Sequence, residues 1–192
     1  VEIVKIYVGN SPLFKKLVGR FQHVHVTGGR AYLIGGVCRA LMAGAPIHDF
    51  DFTVIAEGDI ERCYYTLDRS PKGDDRIEVE HDAPHASLAD YFRTRDFRVN
   101  QVALDSKGYL WLTQRGAEDW RKRRLVSVSS RISLREGARA VRFANELQLT
   151  CSPSISNFIQ KYEEEIRRES VFRRYVRQGL VDPETAFEPF RT

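Results

Sequence analysis

Three groups of residues in this 192-residue chain have the types and spacing for phosphate chemistry. They are Gly35-Gly36, Arg39 and Asp49-Phe50-Asp51. In a β-strand alternate side chains share a face, so Asp49 and Asp51 project together while Phe50, Phe52 and Val54 point the other way. Two carboxylates on one face can hold Mg²⁺. A glycine pair lets backbone approach a ligand closely, and the N–H groups that open the next helix suit a phosphate. The order strand, Gly-Gly, helix with Arg39, loop, Asp-x-Asp describes a site for a nucleoside triphosphate and its metals. Two aspartates balance two Mg²⁺ ions poorly, which calls for a third carboxylate. Residues 76–80 alternate as a strand should and put Glu78 and Glu80 on one face; Glu80 is the preferred candidate.

These residues need elements to position them. The pattern predicts a helix over 12–21, a strand over 32–34, the Gly-Gly helix, a loop with Pro46 and the Asp-x-Asp strand over 49–54. His23-x-His25 reads as a strand edge. A helix is expected near 60–67, a loop over 68–75, a helix over 88–93, and a hairpin joining 101–104 to 109–112 around Lys107-Gly108. Helices over 117–124 and 133–148 follow, and then one helix over 155–179 that stops at Gly179.

Composition excludes several classes. With 42% apolar and 29% charged residues the chain can bury a core plus a helical extension. No apolar run approaches the ~18 residues of a membrane span, and no signal-peptide pattern opens the chain, so a cytoplasmic location without membrane association is expected. Cys38, Cys63 and Cys151 are odd in number and widely spaced, which suggests free thiols. The net charge of +4 hides an asymmetry: residues 1–120 carry 15 Lys/Arg against 17 Asp/Glu, and residues 121–192 carry 15 against 9. The basic half should face a polyanion. Arg131, Arg135, Arg139 and Arg142 recur at helical spacing and form its stripe.

Gly35-Gly36-Val37-Cys38-Arg39 resembles the Gly-Gly-x-x-Arg-Asp segment of a known head domain, and Asp49-Phe50-Asp51 resembles its metal-binding Asp-x-Asp. The family is that of the class II tRNA nucleotidyltransferases and bacterial poly(A) polymerases, within the polymerase-β-like nucleotidyltransferases. Residues 95–100 resemble its Arg-Arg-Asp-Phe-Thr-x-Asn-Ala block, and residues 139–144 resemble the Arg-Ala-x-Arg-Phe-Ala block of its neck helices. The blocks occur in family order over residues 30–150. Ala40 stands where the family carries Asp, Thr94 where it carries the first arginine, and Arg98 and Gln101 where it carries Thr and Ala. The family's base-reading Glu-Asp-x-x-Arg template falls on Ile132, Ser133 and Glu136, none of which matches.

The resemblance implies an α/β head with a small mixed sheet and flanking helices over 1–126, followed by a helical neck over 127–192. It implies template-independent, Mg²⁺-dependent nucleotidyl transfer from ATP or CTP to an RNA 3′-end, that of tRNA in the first place, with two metal ions. Asp49 and Asp51 would be metal ligands and, with Glu80, the catalytic carboxylates. Gly35, Gly36 and Arg39 would grip the triphosphate, Arg95, Asp96 and Asn100 would contact ribose and phosphates, and Arg139 and Arg142 would reach phosphate from the neck. The family's long C-terminal helical domains have no counterpart in these residues, so the resemblance implies a fragment, a minimal relative, or a chain that borrows RNA grip from a protein partner or second copy. Ser133 and Glu136 imply a nucleotide choice that is relaxed, or fixed by other groups, in place of an ordered switch from C to A. Two alternatives stay open: nucleotidyl transfer to a protein or small-molecule hydroxyl, and a non-catalytic nucleotide- or RNA-binding relative.

Overall fold

A computed structural model describes residues 1–45, 47, 49–68, 77–81 and 83–191. The expected loop over 68–75, apart from Asp68, lies outside the described residues, as do Pro46 and Arg76. The elements run β1 (Ile3–Tyr7), α1 (Pro12–Leu17), β2 (Val24–Thr27), β3 (Gly29–Leu33), α2 (Gly36–Ala43), β4 (Phe50–Ala56), β5 (Tyr64–Leu67), β6 (Ile77–Val79), α3 (Leu88–Arg93), β7 (Val102–Leu104), β8 (Tyr109–Thr113), α4 (Gln114–Arg121), β9 (Arg124–Leu125), α5 (Leu134–Leu147), β10 (Thr150–Cys151), α6 (Pro153–Lys161), α7 (Glu163–Arg168) and α8 (Ser170–Arg177). They form two compact units. One holds Val1–Arg95 and Asn100–Ala117, and the other holds Asp96–Val99 and Glu118–Thr192. The division falls after Ala117, where the sequence led us to expect it after residue 126.

The first unit is built on a six-stranded sheet ordered β1-β8-β7-β3-β4-β6. All pairs are antiparallel except β4 with β6, so the sheet is mixed, with helices beside it as expected. Tyr32, Ile34 and Ile55 pack on Tyr91 and Phe92 of α3 on one face. On the other, Phe52 meets the edge of Phe21 and Val54 packs with Ala56 and Cys63. This strict alternation along β4 puts Asp51 on the α3 face.

Two expectations for this unit need correction. The helix expected near 60–67 is a single 3₁₀ turn, Ile60–Arg62, followed by β5, which pairs antiparallel with β2. Tyr64-Tyr65-Thr66 is aromatic and β-branched, and cross-strand pairing outweighs any helical periodicity there. The helix expected over 12–21 ends at Leu17 and continues as a 3₁₀ turn to His23. The hairpin of β7 and β8 and helix α3 formed as expected, and of the expected His23-x-His25 strand edge His25 lies in β2 while His23 ends the 3₁₀ turn.

In the second unit α5 is the central element, with Ala138, Val141, Phe143 and Leu147 buried. The single helix expected over 155–179 is instead three short ones. The backbone leaves helical geometry at Tyr162 (φ −119°, ψ 27°) and at Glu169 (φ −62°, ψ 135°). Each break turns a different apolar set inward: Ile155 and Ile159, then Ile166, then Val171, Phe172 and Tyr175. A straight helix could not bury all three sets against one partner. Where Ile166 meets α5, a Cβ on Gly137 would stand 2.9 Å from its Cδ1, so glycine permits the close approach.

Candidate active site

The Gly-Gly turn is fixed by backbone geometry. Gly35 caps α2 with φ 62° and ψ −125°, a conformation that L side chains rarely adopt. The Ile34 N–H donates to the Asp51 carbonyl at 2.9 Å, so the turn leaves β3 directly beside the Asp-x-Asp strand. A Cβ on Gly35 would lie 3.1 Å from Asp51 Oδ2. One on Gly36 would lie 3.5 Å from Asp49 Oδ1 and 3.9 Å from the Arg39 guanidinium. The five residues singled out from sequence therefore converge in one unit, with the first turn of α2 against both carboxylates.

The electrostatics fit a cation. Burial, then the charges of Asp49, Glu80 and Glu78, push the Asp51 carboxyl up to about 6, and Arg39 offsets only part of this. Excess negative charge at a half-buried carboxylate is the environment that a divalent ion relieves. Among the described residues no group of three or more His, Cys, Asp or Glu is close enough to hold a metal. The residues that could hold a divalent ion are Asp49 and Asp51, hard oxygen donors of the kind that suits Mg²⁺.

Glu78 is the register partner of Asp51 across β4 and β6, and the Glu80 N–H donates to the Phe52 carbonyl, so both acids line the same edge. Glu80 is held by Arg95, whose Nη1 donates to both carboxylate oxygens at 2.7 Å. Arg95 in turn donates to Thr94 Oγ1 at 2.8 Å, contacts His81 Nε2 at 3.2 Å and sits 4.4 Å over the Tyr91 ring. Sequence reading singled out Arg95 and missed this frame, because it depends on bringing the end of α3 beside the end of β6.

In the second unit Asp96 pairs with Arg139 at 2.8 Å, and Asp96 Oδ1 accepts from the Phe97 N–H. The two family blocks thus meet through these residues. Asn100 ends a 3₁₀ turn that starts at Arg98. Arg142 pairs with Glu146 at 2.8 Å, lies 4.9 Å over the Tyr175 ring and is only 13% exposed. That geometry ties Arg142 into helix packing and speaks against the phosphate contact expected of it. Arg131 falls before α5, so the expected four-arginine stripe shrinks to Arg135, Arg139 and Arg142.

Ser133 and Glu136 have a definite role. Ser133 caps α5 by accepting from the Glu136 N–H at 3.2 Å, and Glu136 accepts from the Ser133 N–H at 2.7 Å. This reciprocal capping box is written in the Ser-x-x-Glu spacing, a signal that counting against a base-reading template passed over.

A mixed sheet with a Gly-Gly turn against an Asp-x-Asp strand and flanking helices is the fold that the resemblance to a nucleotidyltransferase head led us to expect. No family model matches the chain. It is 28% identical to the CCA-adding enzyme of Geobacillus thermodenitrificans over 71% of its own length and 41% of the relative's. Against the CCA-adding enzyme of Lactobacillus johnsonii the figures are 26%, 95% and 55%. Among solved structures, the Thermotoga maritima CCA-adding enzyme complexed with tRNA superposes with a TM-score of 0.64 at 17% identity, over 97% of this chain and 54% of that one. The chain spans about half the length of the curated relatives it matches. The resemblance read from the motifs, to the head of the class II tRNA nucleotidyltransferase family, is borne out by these likenesses to CCA-adding enzymes at low identity.

Proposed function

We propose that this chain transfers nucleotides from a nucleoside triphosphate to an RNA 3′-end, with tRNA as the acceptor and Mg²⁺ as the metal. The observation that carries the reading is the contact of Gly35 and Gly36 with the Asp51 and Asp49 carboxylates beside Arg39. The name shared by the curated relatives, CCA-adding enzyme, supports nucleotide addition, and the complex of the Thermotoga maritima enzyme with tRNA supports tRNA as the acceptor.

Each residue has a task in this reaction. The N–H groups at the start of α2 bind phosphate oxygens, and Arg39 holds the charge that gathers on the departing pyrophosphate. Asp49 and Asp51 would hold the metal beside the attacking 3′-hydroxyl and the α-phosphate. When bound, two Mg²⁺ ions would lower the hydroxyl pKa and stabilise the leaving oxygen. Glu80, steadied by Arg95, adds the third negative charge to this edge and keeps the guanidinium beside the ribose and phosphates, where Asn100 also acts. The Asp96–Arg139 pair anchors the second family block, and we assign it a positioning role.

Nucleotide choice should be relaxed. Ser133 and Glu136 are committed to capping α5, and position 133 offers no carboxylate and position 136 no guanidinium to discriminate cytosine from adenine. Single-turnover incorporation of ATP, CTP, GTP and UTP into tRNA lacking its 3′-terminal nucleotides tests this. The expected result is transfer with selectivity reduced by about ten- to a hundredfold from that of a bidentate reader. Faithful addition of C, C, then A would overturn the assignment.

A further inference from the structure

Most of the arginines on α5 have acidic partners, which leaves open where the second unit's positive charge is presented. Arg139 pairs with Asp96 and Arg142 with Glu146. A groove of about 590 Å³ lies elsewhere in the unit, lined by Arg167, Phe172, Arg173, Val176, Arg177 and Pro183. Its rim is built. Arg167 donates to Glu163 at 2.6 Å and to the Pro183 carbonyl at 2.6 Å, and it lies 4.3 Å over the Phe187 ring, so this guanidinium fixes the α7 side to the segment after α8.

Arg173 and Arg177 differ from Arg167. They are four residues apart on α8, so they stand on one side of that helix. Both are exposed, and among the described residues neither has an acidic partner. Half-buried Val176 supplies apolar surface beside them, backed by the buried Phe172. Two exposed guanidinium groups on a fixed, partly apolar groove suit an anion that repeats along a chain with flat apolar parts between its charges. An RNA strand has that character: phosphates for the arginines, and ribose and base surface for the apolar part.

We propose that the groove between α7 and α8 is a docking site for the phosphate backbone of the acceptor RNA, separate from the Gly-Gly and Asp-x-Asp site. The proposal rests on the RNA-acceptor reading above. Charge complementarity favours RNA over a protein partner, because the surplus of 15 Lys/Arg over 9 Asp/Glu in residues 121–192 acts on a uniform polyanion at any register.

The test measures binding of the full chain to a tRNA transcript lacking its 3′-terminal nucleotides, by fluorescence anisotropy across a salt series. The double variant Arg173→Ala/Arg177→Ala is compared with Arg168→Ala/Arg174→Ala, which removes equal charge from residues that do not line the groove. The groove variant should bind about tenfold more weakly, with a slope of log K against log salt shallower by about 2, one unit for each phosphate that is no longer neutralised. The control variant should keep a slope near wild type, and circular dichroism and Mg²⁺–ATP binding should be unchanged in both. Equal weakening in the two variants would show net charge rather than a site and overturn the proposal. A groove variant that binds RNA as wild type does would overturn it while the RNA-acceptor reading stands, and capture of poly-glutamate in its place would assign the groove to an acidic protein. Wild-type protein that binds no tRNA would overturn both readings together.

Discussion

Replacing each glycine of the Gly35-Gly36 pair by alanine separates backbone strain from ligand access. Gly35 adopts φ 62° and ψ −125°, so an alanine there enters a sparsely populated region at a cost of about 1–3 kcal/mol. Its Cβ would also stand 3.1 Å from Asp51 Oδ2, which forces the carboxylate aside by a few tenths of an ångström. Gly36 differs: it is helical, and its Cβ would meet Asp49 Oδ1 at an ordinary 3.5 Å. Alanine there gains about 0.5–1 kcal/mol of helix propensity. With about 2–4 °C of melting temperature per kcal/mol in a chain of this size, Gly35→Ala should melt about 5 °C below wild type and Gly36→Ala at or slightly above it. The new methyl at Gly36 nonetheless fills space between the helix start and Asp49, where phosphate must approach. Thermal denaturation with and without Mg²⁺–ATP reads both effects: Gly36→Ala should lose the nucleotide-induced rise in melting temperature while its unliganded stability is preserved. A Gly36→Ala variant that is stabilised by nucleotide as fully as wild type would refute the reasoning, as would a Gly35→Ala variant with undiminished stability.

Further outcomes follow from the same geometry. Asp51→Asn removes a carboxylate that burial and like charge disfavour; in EDTA it should melt no lower than wild type, but Mg²⁺ should stabilise wild type and not the variant. Glu80→Gln should reduce transfer more than Glu78→Gln, since Arg95 holds Glu80 in place at the edge of the site; steady-state rates with the opposite ranking would move the role to Glu78. Ser133→Ala should cost about 1 kcal/mol through loss of the α5 cap, measured by denaturant unfolding, and leave nucleotide preference as it was. Arg142→Ala should lower stability by removing the Glu146 pair and the Tyr175 contact, while KM for the nucleotide stays within about twofold; a large rise in KM would restore the phosphate role.

The core of the site was legible because its signals are local. Only glycine suits the φ of residue 35, and strand parity alone puts Asp49 and Asp51 together. The capping box was equally local and was missed because Ser133 and Glu136 were weighed only as replacements for base-reading groups. What could not be read depends on distant partners. β1 is a strand because residues over a hundred positions away in β8 pair with it. Residues 64–67 form a strand because β2 is available, and the 155–179 segment breaks twice because α5 offers one surface to three apolar sets. The engagement of Glu80 by Arg95, and of Arg142 by Glu146 and Tyr175, likewise arises only once the chain has folded.

The central claim is that Asp49 and Asp51, set against Gly35 and Gly36, hold the metal that drives nucleotidyl transfer to RNA. The most direct measurement is incorporation of α-labelled nucleotide into tRNA lacking its 3′-terminal nucleotides, in Mg²⁺ and in EDTA, by the wild-type chain and by Asp49→Ala and Asp51→Ala. The account predicts labelled RNA with wild type in Mg²⁺ alone, and loss of transfer in both variants while their circular dichroism spectra match wild type. Transfer near the wild-type rate in either variant, or undiminished transfer in EDTA, would contradict it.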